Sequence, residues 1–230
     1  MANLAANVRG GRLQRLRQRI AQRGPRATIA KAWGDHVFRH SASVILEYHR
    51  VWGGRVTPPE PRAGQSFAVV RDPAEMPPLC AWLNPRADDF ARMAAKGKVG
   101  LFVLRDGVAV GCAWMALSDH HDPASREFYP VSAGEVYHYC WLVEPGHRSQ
   151  GAALPLARYM MALCAQLGIS RQFGVVDRVN RASYRILQHY GYRECGQLVR
   201  HLYILGTRWT VQSRYAGTLG LAASARKAMA

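Results

Sequence analysis

The run from Val136 to Val176 constrains this chain more than any other. A strand-like stretch, VYHYCWLV, passes through EPGHRSQGAA into a helix-like stretch, LPLARYMMALCAQLG, and then into a second strand, QFGVVD. Two strands separated by a helix of that length lie parallel, joined by a right-handed crossover. The rest of the chain reads as antiparallel. VGLFVLR and VAVGCAWMAL flank Asp106-Gly107, a strong signal for a two-residue hairpin turn. Further strands are expected at 43–49 and in SFAVVRD, and YRECGQLV and HLYILGTRWTVQS form a closing pair. Asn84-Pro85 reads as the start of a helix, with Asn84 as N-cap and Phe90, Met93 and Ala94 on the buried face. NRASYRILQHY is a later helix stopped at Gly191. SDHHDPASREFYPVSAG reads as a long loop. The fold class is α/β (α+β): a mixed, mostly antiparallel twisted sheet with a central parallel pair, flanked by helices.

The 230 residues suffice for a sizeable core, and 49% of them are apolar. No window approaches the roughly 18–20 continuous apolar residues of a membrane span, and no secretory leader is read. The five cysteines, at 80, 112, 140, 164 and 195, are odd in number and contain no C-x-x-C. They read as buried thiols in a reducing, cytoplasmic compartment, not as a disulfide framework or a zinc site. Asp119-His120-His121-Asp122 invites a metal reading, but contiguous ligands rarely converge on one ion, so no metal is expected. It is read instead as a substrate-recognition loop, able to attract a cationic amine.

The formal net charge is +16, and eight of the basic residues fall in residues 1–31, which hold no acid. GRLQRLRQRIAQ places Leu13, Leu16 and Ile20 at helical spacing among arginines, a short basic amphipathic helix. It reads either as a solvated arm or as a contact for an acidic carrier protein or an anionic membrane surface. Arginine richness alone supplies only non-specific nucleic-acid affinity, and no DNA-reading module is visible. The expected organisation is a basic N-terminal extension over 1–40, a domain over 41–213 and a tail over 214–230.

Between the strand and helix of the crossover lies VEPGHRSQGAA, residues 143–153. Pro145 cannot extend a ladder. Gly146, Gly151, Ala152 and Ala153 let a ligand approach the backbone, and the helix behind them begins with unpaired N–H groups and a positive dipole end. With Arg148 this is a geometry for anions, phosphate above all. A tight turn carrying a surface arginine is the competing reading.

The segment resembles the acyl-CoA-binding motif of the GNAT acyltransferases, Arg/Gln-x-x-Gly-x-Gly/Ala, here Arg148-Ser149-Gln150-Gly151-Ala152-Ala153. Val179-Asn180-Arg181-Ala182-Ser183 followed by Tyr190-Gly191-Tyr192 is similar to the family's second signature. The resemblance covers roughly residues 41–213. It implies acetyl-CoA, or another acyl-CoA, as co-substrate, with the pyrophosphate on the backbone of Arg148, Ser149, Gln150, Gly151, Ala152 and Ala153. The pantetheine arm would lie beside Leu142 and Val143, where the parallel strands splay, and Asn180 and Ser183 would touch the donor. The acceptor would be a small-molecule amine or, less often, a hydroxyl.

The family's acid tyrosine falls at Leu187 here, and Tyr184 and Tyr190, one turn either side, are the substitutes. In the strand before the motif, Glu135, Tyr137, Tyr139 and Trp141 alternate with Val136, His138, Cys140 and Leu142, unless a bulge switches them. Family members place the base, or its water relay, at positions matching Tyr137 and Tyr139; Glu135 and His138 are better bases. Three functions remain open. They are acetyl transfer to an amine; transfer from a longer acyl-CoA or a carrier protein, with peripheral membrane attachment and lipid, envelope-glycan or secondary-metabolite acceptors; and an inactive CoA-binding or regulatory domain. Oligomerisation is open too.

Overall fold

The computed structural model describes Pro25 and residues 38–52, 56–122, 127–148 and 151–222. The amphipathic helix expected at 11–22 and most of the basic extension lie outside the described residues, as do Ser149 and Gln150. The chain divides into two compact units, Met1–Ser41 with Arg200–Val211, and Ala42–Val199 with Gln212–Ala230.

The strands are β1 (Phe38–His49), β2 (Gln65–Val70), β3 (Val99–Arg105), β4 (Val108–Ala116), β5 (His120–Asp122), β6 (Glu127–Tyr129), β7 (Glu135–Val143), β8 (Arg171–Asp177), β9 (Arg193–Ile204) and β10 (Thr207–Arg214). The helices are α1 (Ala87–Ala95), α2 (Ala153–Gln166) and α3 (Arg181–His189); a single helical turn spans Pro145–Arg148. The main sheet has the order β10-β9-β1-β8-β7-β4-β3-β2, and β5 pairs only with β6. The expected crossover is present: β7 and β8 pair in parallel across α2. β1–β8, β2–β3, β3–β4 and β4–β7 are antiparallel. At the Asp-Gly turn both residues take positive φ, 49° and 81°, the type I′ geometry that matches strand twist.

The structure corrects four local readings. β1 begins at Phe38, ahead of the expected start. Asn84 does not cap α1; it opens a 3-10 turn, its N–H donates to the Cys80 carbonyl at 2.9 Å, and α1 starts at Ala87. The loop after β4 contains the β5–β6 ladder, with His120 opposite Tyr129. In the smaller unit the closing strands meet not near Arg200 but at Leu205-Gly206, both at positive φ. A charged residue on an exposed face does not end a strand, so Arg200 was no boundary.

Side-chain alternation sends the core to both faces of the sheet. In the larger unit, α2 covers one face, setting Leu156, Met160 and Cys164 against Leu101, Val103, Met115 and Val136. α3 continues this cover with Tyr184 and Leu187 against Leu46, Tyr48 and Val176. On the opposite face, Phe90 and Ala94 of α1 cover Phe102, Cys112 and Trp114. Tyr129 and Val131, on and after β6, cover Ile45, Tyr137 and Phe173.

Candidate functional site

The parallel ladder is short. It runs from Glu135 opposite Arg171 to His138 opposite Gly174 and then stops, although both strands continue. Beyond that point β7 stays paired with β4 while β8 stays paired with β1. A cleft of about 150 Å³ opens between them, lined by Tyr139, Cys140 and Trp141 on one side, Val175 to Asp177 on the other, and Asn180, Ser183 and Leu187 of the α3 segment.

A bulge in β7 produces the divergence. Cys112 lies opposite Leu142 but Trp114 lies opposite Tyr139, so the single residue Ala113 faces two residues of β7. The extra residue is Cys140, held at φ 53°. Its carbonyl accepts a contact from Cys112 Sγ at 3.9 Å. A bulge twists its strand and reverses the alternation beyond it. The expected face assignment is therefore overturned after Tyr139. Trp141 and Val143 pack on the α2 side with Val136, whereas Tyr139, Cys140 and Leu142 pack on the α1 side.

His138 sits at the fork of the cleft, 95% buried, with Nε2 3.1 Å from Gln172 Oε1. The Tyr192 hydroxyl donates to the same oxygen at 2.8 Å, so Gln172 accepts twice and His138 Nε2 carries the proton. His138 Nδ1 and Trp141 Nε1 are buried without partners among the described residues. One is a free acceptor and the other a free donor. Burial depresses the His138 pKa to about 4, with the Gln172 contact acting weakly against it.

At the far end of β7, Arg148 Nε donates to the Val143 carbonyl at 2.8 Å, and its guanidinium lies 5.8 Å from the Trp82 ring centre. Gly151 turns the chain into α2 at φ 77°, a conformation costly for any residue with a Cβ. A Cβ there would come 3.5 Å from Arg62 Nη1. Arg62 and Arg158 line the same groove beside Gly151 and Tyr190. Arg158 is fixed by donating to the Thr57 carbonyl and hydroxyl, at 3.1 and 3.0 Å. The sequence reading missed both arginines. Arg158 lies seven residues after Gly151, two helical turns on, so spacing alone could have found it; Arg62 arrives from a distant loop.

The candidate donor residues thus divide. Asn180 and Ser183 share the cleft, and Asn180 Oδ1 also caps α3 by accepting from Ser183 N at 3.2 Å. Leu142 and Val143 lie on the part of β7 that β8 has left, and Gly151, Ala152 and Ala153 continue into α2.

The catalytic candidates separate further. Glu135 lies at the paired end of β7, four residues or about 13 Å from Tyr139 along the strand. Its carboxylate accepts from Arg171 Nη1 at 2.9 Å and from Ser132 N at 3.0 Å. Partial burial works to raise its pKa, but these donors outweigh it and hold it below the usual range. Tyr184 is not in the cleft. Its hydroxyl donates to Glu194 Oε1 at 2.7 Å, in a cluster where Tyr215 OH and the N–H groups of Leu219 and Gly220 also donate to that carboxylate. Burial, with Glu194 adding to it, pushes its pKa up to about 12. Tyr190 OH donates to the Leu154 carbonyl at 2.9 Å. Tyr137 and Tyr139 stack at 5.6 Å, and burial raises both hydroxyls, leaving two neutral donors.

The α1 face of the fork carries a tier of rings. His120 lies 4.9 Å from Tyr137 and 4.7 Å from Tyr139, Tyr129 stacks on Tyr137 at 4.7 Å, and Phe173 lies tilted against it at 5.4 Å. Beside them is a cavity of about 460 Å³ lined by Ile45, Tyr129, Phe173, Arg171, Gln212 and Arg214 among others. Among the described residues no cluster of three or more His, Cys, Asp or Glu could hold a metal ion. No described helix is long and apolar enough to cross a membrane.

Comparison with known proteins fits this geometry. The family model for the GNAT acetyltransferases matches residues 66–192, more than half of the chain. No curated protein matches. Among solved structures, a Drosophila protein is similar at 10% identity and TM-score 0.53, covering 81% of this chain and 58% of that one. A GCN5-related N-acetyltransferase from Kribbella flavida matches at 18% identity and TM-score 0.44, covering 78% and 63%. One from Sphaerobacter thermophilus matches at 14% and 0.45, covering 85% and 59%. The chain spans about three fifths of the length of these structures. With the splayed parallel pair, the Gly151 turn and the family match in agreement, the chain belongs to the GNAT acetyltransferase family, whose members use acyl-CoA as co-substrate.

Proposed function

We propose that this protein transfers an acyl group from acyl-CoA, most simply acetyl from acetyl-CoA, to the amine of a small molecule. The observation that carries the reading is the divergence of β7 from β8 beyond His138 and Gly174, leading toward Gly151 and the start of α2. The donor's thioester end would enter this fork and its phosphates would rest at the start of α2, flanked by Arg62 and Arg158. The unpartnered His138 Nδ1 and Trp141 Nε1 match the N–H and C=O of a pantetheine amide. The acceptor would approach from the α1 face, where the ring tier and the cavity beside Phe173 lie. Rate acceleration would come from positioning the two reactants and from polarising the thioester carbonyl. The five cysteines are unpaired, in keeping with a reducing, cytoplasmic setting.

Acetyl-CoA should raise the melting temperature, and thiol should be released when small amines are added. A well-folded sample that shows no shift with acetyl-CoA, nor with longer acyl-CoA donors, would sink the reading.

A further inference from the structure

The Asp119–Asp122 segment was singled out by sequence and is absorbed neither by the donor cleft nor by a metal. The structure delivers one of its residues to the fork. β5 pairs with β6 so that His120 faces Tyr129, and the hairpin folds over β7. The His120 ring rests against Tyr139, which lines the cleft, and against Tyr137. Two anchors fix the segment. Lys98 Nζ donates to the carbonyls of Ser118 and Asp119 at 3.3 and 3.1 Å, and Asp119 Oδ1 accepts from Val131 N at 2.9 Å.

The other proton acceptors near the fork are committed. Glu135 is held by Arg171 and lies at the far end of the strand. His138 is buried on the opposite face with Nε2 against Gln172, and its unpartnered Nδ1 is the group assigned above to the donor's amide. Asp177 Oδ1, across the cleft, accepts from Val179 N at 3.0 Å. The tyrosines are neutral donors with raised pKa. His120 is half-buried, and no side-chain hydrogen bond engages its ring among the described residues.

Resting on the acyl-transfer reading, we infer that His120 is the general base that takes a proton from the acceptor's ammonium group. The uncharged nitrogen then attacks the thioester carbonyl carbon. The N–C bond forms, the C–S bond breaks, and the sulfur leaves as thiolate and takes the second amine proton. His120 returns its proton to water, so one proton is released per amide formed. Tyr139, its ring packed at a tilt against the imidazole, orients it.

The groups facing His120 set the direction of its titration. Burial is the largest influence and favours the neutral ring; Lys98, reaching in from the start of β3, acts the same way, Asp122 opposes, and His121 adds slightly. Glu127 of β6 and the hydroxyls of Tyr129, Tyr137 and Tyr139 complete the surroundings. His120 is thus neutral, and able to accept a proton, to a lower pH than an ordinary histidine.

The test compares the full chain with His120→Gln and with His40→Gln, an exposed histidine of β1, by thiol release from acetyl-CoA across pH with a panel of amines. His120→Gln should lower turnover about 100-fold or more, replace the acid limb set by His120 with one that follows the acceptor amine's own ionisation, and keep the melting shift with acetyl-CoA. His40→Gln should match the parent. The His120→Gln defect should shrink with an acceptor amine already uncharged at the assay pH. Turnover of His120→Gln within about threefold of the parent, with the same acid limb, overturns the inference while acyl transfer stands. Failure of the unmodified protein to release thiol with any amine removes the acyl-transfer reading, and this inference with it.

Discussion

β7 behaves as two strands joined at a bulge. From Glu135 to His138 it is paired with β8, and at Tyr137 and His138 with β4 as well, with Val136, Tyr137 and His138 buried. From Tyr139 to Val143 it keeps only β4 as a neighbour, and its residues are half-buried. The first half is stabilised by packing. The second leaves main-chain edge and Trp141 Nε1 without partners among the described residues, with His138 Nδ1 likewise open at the boundary, groups that a ligand or water can satisfy. One strand thus supplies both rigid frame and binding edge, and Cys140 divides them.

The comparison can be broken most strongly in the paired half. Tyr137→Ala removes a ring stacked on Tyr129 and Tyr139 and packed against Phe173. It should cost about 3–5 kcal/mol, roughly 10 °C of melting temperature, while leaving donor binding measurable in the cold. Thermal unfolding with and without acetyl-CoA reads both effects.

Acid should attack the same half. His138 has a folded pKa of about 4, below its unfolded value near 6.5, so the unfolded chain binds more protons between these limits. Stability should therefore fall as pH drops from about 6.5 to about 4, by up to about 3 kcal/mol. Glu194, held low by its donors despite partial burial, contributes stability above the ordinary carboxylate range that is lost on further acidification. Denaturant melts against pH, repeated on His138→Asn, should show the upper part of this slope reduced.

On the splayed side the effects should reverse in kind. Gly151→Val forces a β-branched residue to φ 77° beside Arg62. Donor affinity should fall about 100-fold, near 2.7 kcal/mol, against about 1–2 kcal/mol of folding stability. Calorimetric titration with acetyl-CoA decides this. The smallest effect belongs to Tyr184→Phe, which removes one donor from Glu194. About 1 kcal/mol of stability should go, with turnover unchanged. A large loss of turnover would return Tyr184 to the chemistry.

Much of the frame was legible because its signals are local. The type I′ turn at Asp106-Gly107 and the β7–α2–β8 crossover follow from residue chemistry and connection length. The Gly151 turn was visible as a stretch of small residues between strand and helix. The face assignment of β7 was not legible beyond Tyr139. Bulges at positive φ usually announce themselves with glycine, and here the residue is Cys140. Tyr184 looked equivalent to Tyr190 by helical spacing, yet Glu194, ten residues on, decided where its hydroxyl points.

By itself, the sequence determined the parallel pair, the Asp106-Gly107 hairpin and the turn of small residues into α2, since each depends on neighbouring residues. Only the tertiary structure decided that β7 opens beyond His138, that Trp141 changes face, and that His120 lies against Tyr139. These depend on which strands find partners and on what a distant hairpin covers, long-range choices that no run of adjacent residues records.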